Sequence, residues 1–259
     1  GVRASESGPA ELDNSGLIGR ILALRSEQAA LLGFSGYAQY SLATKMAQSA
    51  DEVLEFLRDL AGRALPFARR DRAELEAFAR DELGLDELQP WDLAYAAEKL
   101  KQARYSYSGQ EVKRYFTEAR VLAGLFDVIG SLYRVQVRED RAPVWHPDVR
   151  FYRVEDADGQ LLGQFYLDLY AREGKRGGAW MDDCRNRRVT AAGTQTPLVY
   201  LVCNFGRGVD GRPATFSHDE VTTLFHEFGH GLHQLLTAIG ELPVAGINGV
   251  EWDAVELPS

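Results

Sequence analysis

His226, Glu227 and His230 stand in an H-E-x-x-H run. The flanks, Val-Thr-Thr-Leu-Phe before and Gly-Leu-His-Gln-Leu-Leu after, read as one helix. Residues i and i+4 of a helix share a face, so the two imidazoles lie side by side and can hold one metal ion. Glu227 is one residue round from His226. It reaches the open side of such a metal without ligating it, placed to take a proton from water bound there. The chain has five histidines, and three of them, His226, His230 and His233, fall within this stretch, 221–236. A single helical histidine is ordinarily packed or solvated; two at this spacing with Glu between them point to a metal. Glu227 and His230 also form an E-x-x-H, the ligand pair of di-iron bundles. Such a site needs a second copy, and no other histidine has Glu three residues before it.

A zinc hydrolase takes three protein ligands and leaves the fourth position for water. The extended pattern H-E-x-x-H-x-x-G-x-x-H is excluded, because position 233 is His where Gly is needed and position 236 is Leu. The third ligand is then expected to be a downstream carboxylate. Glu241 follows the helix too closely. Of Glu251, Asp253 and Glu256, spacing does not separate Glu251 from Glu256, both in a segment, 250–256, that reads as one or two helical turns. His233, one turn past His230, is either a wall of the site or a helix-surface residue. Asp253, one turn before Glu256, either accepts the N–H of a ligand histidine or faces solvent.

The rest of the composition narrows the class. A net charge of −9 with no basic cluster interleaved with aromatics argues against nucleic acid as a partner. Arg185, Arg187 and Arg188 form only a short basic run. No apolar run has the length of a membrane span. Two cysteines, Cys184 and Cys203, make no disulfide framework, fit a reducing, cytoplasmic compartment, and read as buried or half-buried strand thiols. The first residue is Gly1 rather than Met, so the lack of a signal peptide carries little weight.

The elements that must position the site fall into two parts, 1–131 helical and 132–259 catalytic. Helices are expected from Asn14 or Ser15 to Leu32 with Gly33 as the stop, from Ser49 to about Leu83 with a kink at Pro66, from Trp91 to about Arg104, and from Thr117 onward. Ser108 to Glu111 reads as a capping box. Alternation over 133–138 predicts a strand, and 150–154 with 161–170 a hairpin around the turn 156–159. Residues 179–181 and 198–203 are further strands, the second either beside the cleft and able to pair with a substrate backbone or an ordinary core strand. Residues 185–196 read as a loop. Ser217 to Glu220 is a capping box opening the histidine helix, and Gly240 is its expected end. The fold class is α+β and mostly helical: a helical part, then a small sheet and the H-E-x-x-H helix of a zincin-like catalytic portion.

The segments 223–236 and 249–259 resemble the thimet-oligopeptidase family of zinc peptidases, and most closely its bacterial oligopeptidase A branch. So do Phe165-Tyr-Leu-Asp-Leu-Tyr-Ala-Arg172, Gly177-Gly-Ala-Trp-Met-Asp-Asp-Cys184 and Leu42-Ala-Thr-Lys-Met-Ala47. The resemblance implies that Glu256, in Val-Glu-Leu-Pro-Ser, is the third ligand, with one zinc per chain on His226, His230 and Glu256 and with Glu227 as general base. It implies cleavage of short peptides in a deep channel of a mostly helical protein. Members of that family are longer at both ends and carry a C-terminal glycine-rich loop whose tyrosines and histidine bind substrate. The chain is therefore expected to be a central fragment that needs the remainder of the enzyme, or else a catalytically incomplete metal- or peptide-binding piece.

Overall fold

The computed structural model describes residues 13–209 and 211–259. The chain divides into two compact units, Gly1–Arg69 with Glu251–Ala254, and Arg70–Val250 with Val255–Ser259.

The first unit holds α1 (Ser15–Leu31), α2 (Tyr37–Leu42) and the start of α3 (Ala50–Leu83). α1 stops where Gly33 predicts. Its backbone takes a left-handed φ of 82°, so that Gly33 N–H reaches Ala30 O and Phe34 N–H reaches Ala29 O, closing two of the helix's last carbonyls. The start of α3 is fixed by Ser49 Oγ, which accepts the Glu52 N–H at 3.1 Å, while Glu52 Oε2 accepts the Gln48 N–H at 2.7 Å. Pro66 lies inside this helix.

The second unit continues with α4 (Leu93–Tyr105), α5 (Gly109–Lys113) and α6 (Glu118–Tyr133). Then come β1 (Gln136–Glu139), β2 (Arg150–Glu155), β3 (Leu161–Tyr170), β4 (Trp180–Arg185), β5 (Arg188–Thr190), β6 (Gly193–Gln195), β7 (Leu198–Phe205) and α7 (His218–Leu235). The fold class is α+β and mostly helical, with the histidine pair on the last α-helix, as the sequence implies. α6 runs to Tyr133 and closes on Arg134 at φ 57°, so the first strand starts at Gln136 and not at 133. The hairpin β2–β3 stands where expected. Asp156 Oδ1 accepts the N–H groups of Asp158 and Gln160, and Gly159 supplies the positive φ of the turn. The expected loop at 185–196 instead contains the small β5–β6 hairpin, closed through Gly193 at φ 126°.

The main sheet has the order β1-β2-β3-β7-β4, with β3 and β7 parallel and the other pairs antiparallel. Successive side chains of a strand point to opposite faces. One face presents Phe165 and Leu167 of β3 and Val199, Leu201 and Cys203 of β7, all buried. α6 (Leu122, Leu125, Ile129) and α7 (Leu224, Phe228, Leu235) share that core. Phe126 and Phe228 meet the ring of Phe165 from α6 and α7, Phe228 edge-on at 5.3 Å between centroids. The other face carries Tyr166 and Tyr200, stacked at 5.5 Å, with Trp145 against both. Beside them Asp168 is buried in an ion cluster with Arg172 and Lys175.

Candidate metal centre

α7 begins with a reciprocal cap: Ser217 Oγ accepts the Glu220 N–H, and Glu220 Oε2 accepts the Ser217 N–H. Its apolar residues Leu224, Phe228 and Leu235 anchor it to the sheet. Gly231 allows close approach, since a Cβ there would meet Leu201 Cδ2 at 3.2 Å. With that face held, His226 and His230 lie together, their ring centroids 4.9 Å apart and nearly perpendicular. The helix ends at Leu235, before the expected Gly240. Gly240 serves elsewhere, against the β5–β6 hairpin. Its carbonyl accepts the Val189 N–H, and a Cβ on it would lie 2.5 Å from Val189 Cγ2.

The chain after α7 turns back and brings Glu256 to the histidines. Glu256 Oε2 lies 3.3 Å from His226 Nε2 and 3.1 Å from His230 Nε2. One potential ligand atom from each of the three residues falls within 4.8 Å of the others, and this is the group of metal-binding residue types gathered among the described residues. The segment 250–256 forms no helix, only turns such as the one closed by Ala254 N–H on Glu251 O. Ser259 closes the next turn: its N–H and Oγ both bond Glu256 O, and Oγ lies 3.2 Å from Glu256 Oε2.

Glu227 is buried next to this cluster. Burial pushes its carboxyl above the usual carboxylate range, against the pull of His226 and His230; Glu256 adds to the rise and the Met181 backbone N–H opposes it. Met181 is on β4, which bounds the sheet on this side. Strand 198–203, expected either to meet a substrate or to be an ordinary core strand, is β7. It is paired on both edges, by β3 and β4, and has no backbone groups to offer. The free edge on this side belongs to β4.

The two further candidates have other surroundings. Asp253 accepts the Met46 and Ala47 N–H groups at 2.9 and 3.0 Å, one with each oxygen, and these bonds hold its carboxyl below the ordinary range. His233 is half-buried, and burial together with His230 lowers its pKa; Nδ1 of His230 and of His233 have no hydrogen-bond partner among the described residues. Cys184 is exposed, unlike the half-buried thiol expected, because β4 is the outermost strand; Cys203 is buried, which pushes its thiol up to about 12.

Sequence reasoning passed over Gln234. It is fully buried, its Oε1 accepting the Ile247 N–H at 2.8 Å and its Nε2 donating to Asn186 Oδ1. The available signal was a polar residue between Leu232 and Leu235 on the buried side of an amphipathic helix, where an amide must find partners.

Residues 2–259 match the Peptidase family M3. The chain is 56% identical to oligopeptidase A of Escherichia coli over 262 residues, which cover 100% of this chain and 38% of that protein. It is 41% identical to the probable cytosolic oligopeptidase A of Arabidopsis thaliana, over 98% of this chain and 38% of that protein. It is 35% identical to the dipeptidyl carboxypeptidase of Salmonella typhimurium, over 98% and 37% respectively. The chain thus spans well under half the length of these relatives.

Proposed function

The chain belongs to peptidase family M3, and from that membership and the His226–His230–Glu256 cluster we propose that it is the metal-binding part of a zinc-dependent endopeptidase acting on short oligopeptides. The observation that carries this reading is the approach of Glu256 Oε2 to both Nε2 atoms, at 3.3 and 3.1 Å. Bonds of about 2.0–2.1 Å at tetrahedral angles put neighbouring ligand atoms roughly 3.3 Å apart, so the donor types and the two carboxylate-to-imidazole separations are those zinc takes. Two imidazoles and one carboxylate also leave a fourth position open, as a catalytic site requires.

Zinc held there supplies a Lewis acid, acidifying water and polarising a carbonyl. The protein's own groups do the rest. Glu227, with its carboxyl raised by burial, accepts a proton from the attacking water and delivers it to the leaving amine. The free edge of β4 can hydrogen-bond an extended peptide and hold its backbone alongside α7. No helix among the described residues is long and apolar enough to cross a membrane. A cytoplasmic location is the proposal that agrees with the similarity to a probable cytosolic relative.

A second reading keeps the ligands but not the turnover. It is favoured by the 38% share of its relatives that the chain spans and by the exposure of Glu256, whose side chain is 67% accessible. Substrate-binding and transition-state-stabilising groups then come from the rest of the enzyme. A zinc titration and a quenched-peptide cleavage assay on this chain, alone and joined to the flanking regions of its longer relatives, separate the two. Zinc binding with turnover only in the longer form favours the second reading. A chain that binds no zinc in either form refutes both.

A further inference from the structure

We propose that Ser259 is a positioning residue for the Glu256 carboxylate, and that Gly229 is the gap in the metal helix that admits it. The inference rests on the zinc reading above and concerns how the third donor is delivered and held.

Gly229 lies inside α7, between the two histidines, where glycine is a poor helix former and alanine a good one. Its presence there is explained by what crosses it. A Cβ at 229 would lie 2.6 Å from Ser259 Cα, 2.7 Å from Pro258 O and 3.3 Å from Pro258 C. These are backbone atoms, which cannot rotate aside as a side-chain tip can. The tail therefore rests directly on the helix backbone at the turn that carries His226 and His230.

At that crossing Ser259 turns back to Glu256. Its N–H donates to Glu256 O at 3.2 Å. Its hydroxyl has two acceptors in reach, Glu256 O at 2.8 Å and Glu256 Oε2 at 3.2 Å. Oε2 is the oxygen nearest both imidazoles. Ser259 thus holds both the backbone and the side chain of Glu256, a residue otherwise largely open to water. Without it the carboxylate has several rotamers to lose on meeting a metal. The sequence of dependence is Gly229 to the tail, the tail to Ser259, and Ser259 to the donor oxygen.

The test measures affinity for zinc alone, by competition with a chromophoric chelator, with no activity assay. Ser259→Ala is expected to weaken zinc binding roughly tenfold, the lower end of the effect of removing a group that orients a ligand. Ser259→Thr, which keeps the hydroxyl, is expected to retain parent-like affinity. Gly229→Ala is expected to weaken binding at least as much without lowering the melting temperature of the metal-free protein, and to alter the visible spectrum of the cobalt form. In a Glu256→Ala background neither substitution is expected to weaken binding further, because both act through that carboxylate. Parent-like affinity in Ser259→Ala overturns the role of Ser259. Parent-like affinity in Gly229→Ala overturns the role of the gap. Additional losses in the Glu256→Ala background overturn the route through Glu256. These outcomes leave the zinc reading standing, whereas a parent chain that takes up no zinc ends both.

Discussion

Glu256 Oε2 lies 3.1 Å from His230 Nε2, although the Glu256 side chain is largely exposed and the His230 side chain is nearly buried. A rigid histidine pair on a packed helix meets a carboxylate delivered by a turn at the surface. If zinc binds there as proposed, losing that carboxylate removes a donor and costs the fold little. Glu256→Ala is expected to weaken zinc binding by about 100-fold or more, beyond the range for a group that merely orients a ligand, with an unchanged circular dichroism spectrum. Glu251→Ala is expected to bind as the parent does. The reverse order would assign the third donor to Glu251.

Glu227→Gln addresses the base. The amide has nearly the same shape but cannot accept a proton. Zinc affinity is expected to stay within a few-fold of the parent, while peptide cleavage by the longer form falls by about 10²–10⁴, the usual contribution of a positioned base. Stopped assays on a quenched peptide, with zinc content measured on the same sample, check this. Retention of most of kcat would remove Glu227 from the reaction.

The ion cluster on the far face of the sheet makes a prediction about stability and pH. Asp168 and Lys175 have only 3% and 6% of their side chains accessible. Burial raises the Asp168 pKa, but Arg172, Lys175 and the Trp145 indole more than offset it, and the carboxyl is held at about 2. A carboxyl depressed in the folded state contributes stability above its unfolded pKa, about 3.9, and loses it as pH falls through the folded value. Asp168→Asn takes the counter-charge from the buried Lys175 ammonium, leaving it the carbonyl oxygens of residues 168, 170 and 203, and is expected to cost about 3–5 kcal/mol at neutral pH. The gap in melting temperature between parent and variant should close as pH falls from about 4 to 2. A gap that stays constant over that window would mean that the pair is not the cause.

The juxtaposition of His226 and His230 was legible because a four-residue spacing on a helix fixes a shared face whatever the rest of the fold does. The ends of α1 and α7 that have local devices, Gly33 and the Ser217–Glu220 cap, are legible for the same reason. What failed depended on distant partners. Gly240 resembled a helix stop but serves a close approach to Val189. Strand 198–203 had two readings, substrate-pairing or core, and it took the structure to choose the second, because its two neighbours are β3 and β4, segments that no local pattern joins to it. Asp253 is exposed, one of its two expected settings, but its bonds to Met46 and Ala47, far away in the chain, had no local signal. The choice between Glu251 and Glu256 needed the family resemblance, because both lie in irregular turns where no periodicity applies.

The turn that follows α7 offers a comparison with an internal control. Gly246 and Gly249 both take positive φ, 65° and 75°. A side chain at either incurs the left-handed penalty, about 1–2 kcal/mol. They differ in surroundings. A Cβ at 246 would run into Gln234, with the amide Cδ at 2.6 Å and Cα at 3.0 Å; the nearest atoms to a Cβ at 249 would be Val244 Cγ1 at 3.3 Å and Pro243 O at 3.4 Å. Gln234 cannot retreat, because Ile247 and Asn186 hold its two ends in a fully buried site. Displacing it leaves buried polar groups without partners, at about 1–3 kcal/mol each. Gly246→Ala is therefore expected to destabilise the protein by at least about 1 kcal/mol more than Gly249→Ala, read from urea unfolding of the two variants. Gln234→Ala should remove most of that difference, since it takes away the amide that a Cβ at 246 would meet and removes the amide's hydrogen bonds from both glycine variants alike. Equal losses in the two glycine variants with Gln234 intact would show that the turn is not fastened through this amide.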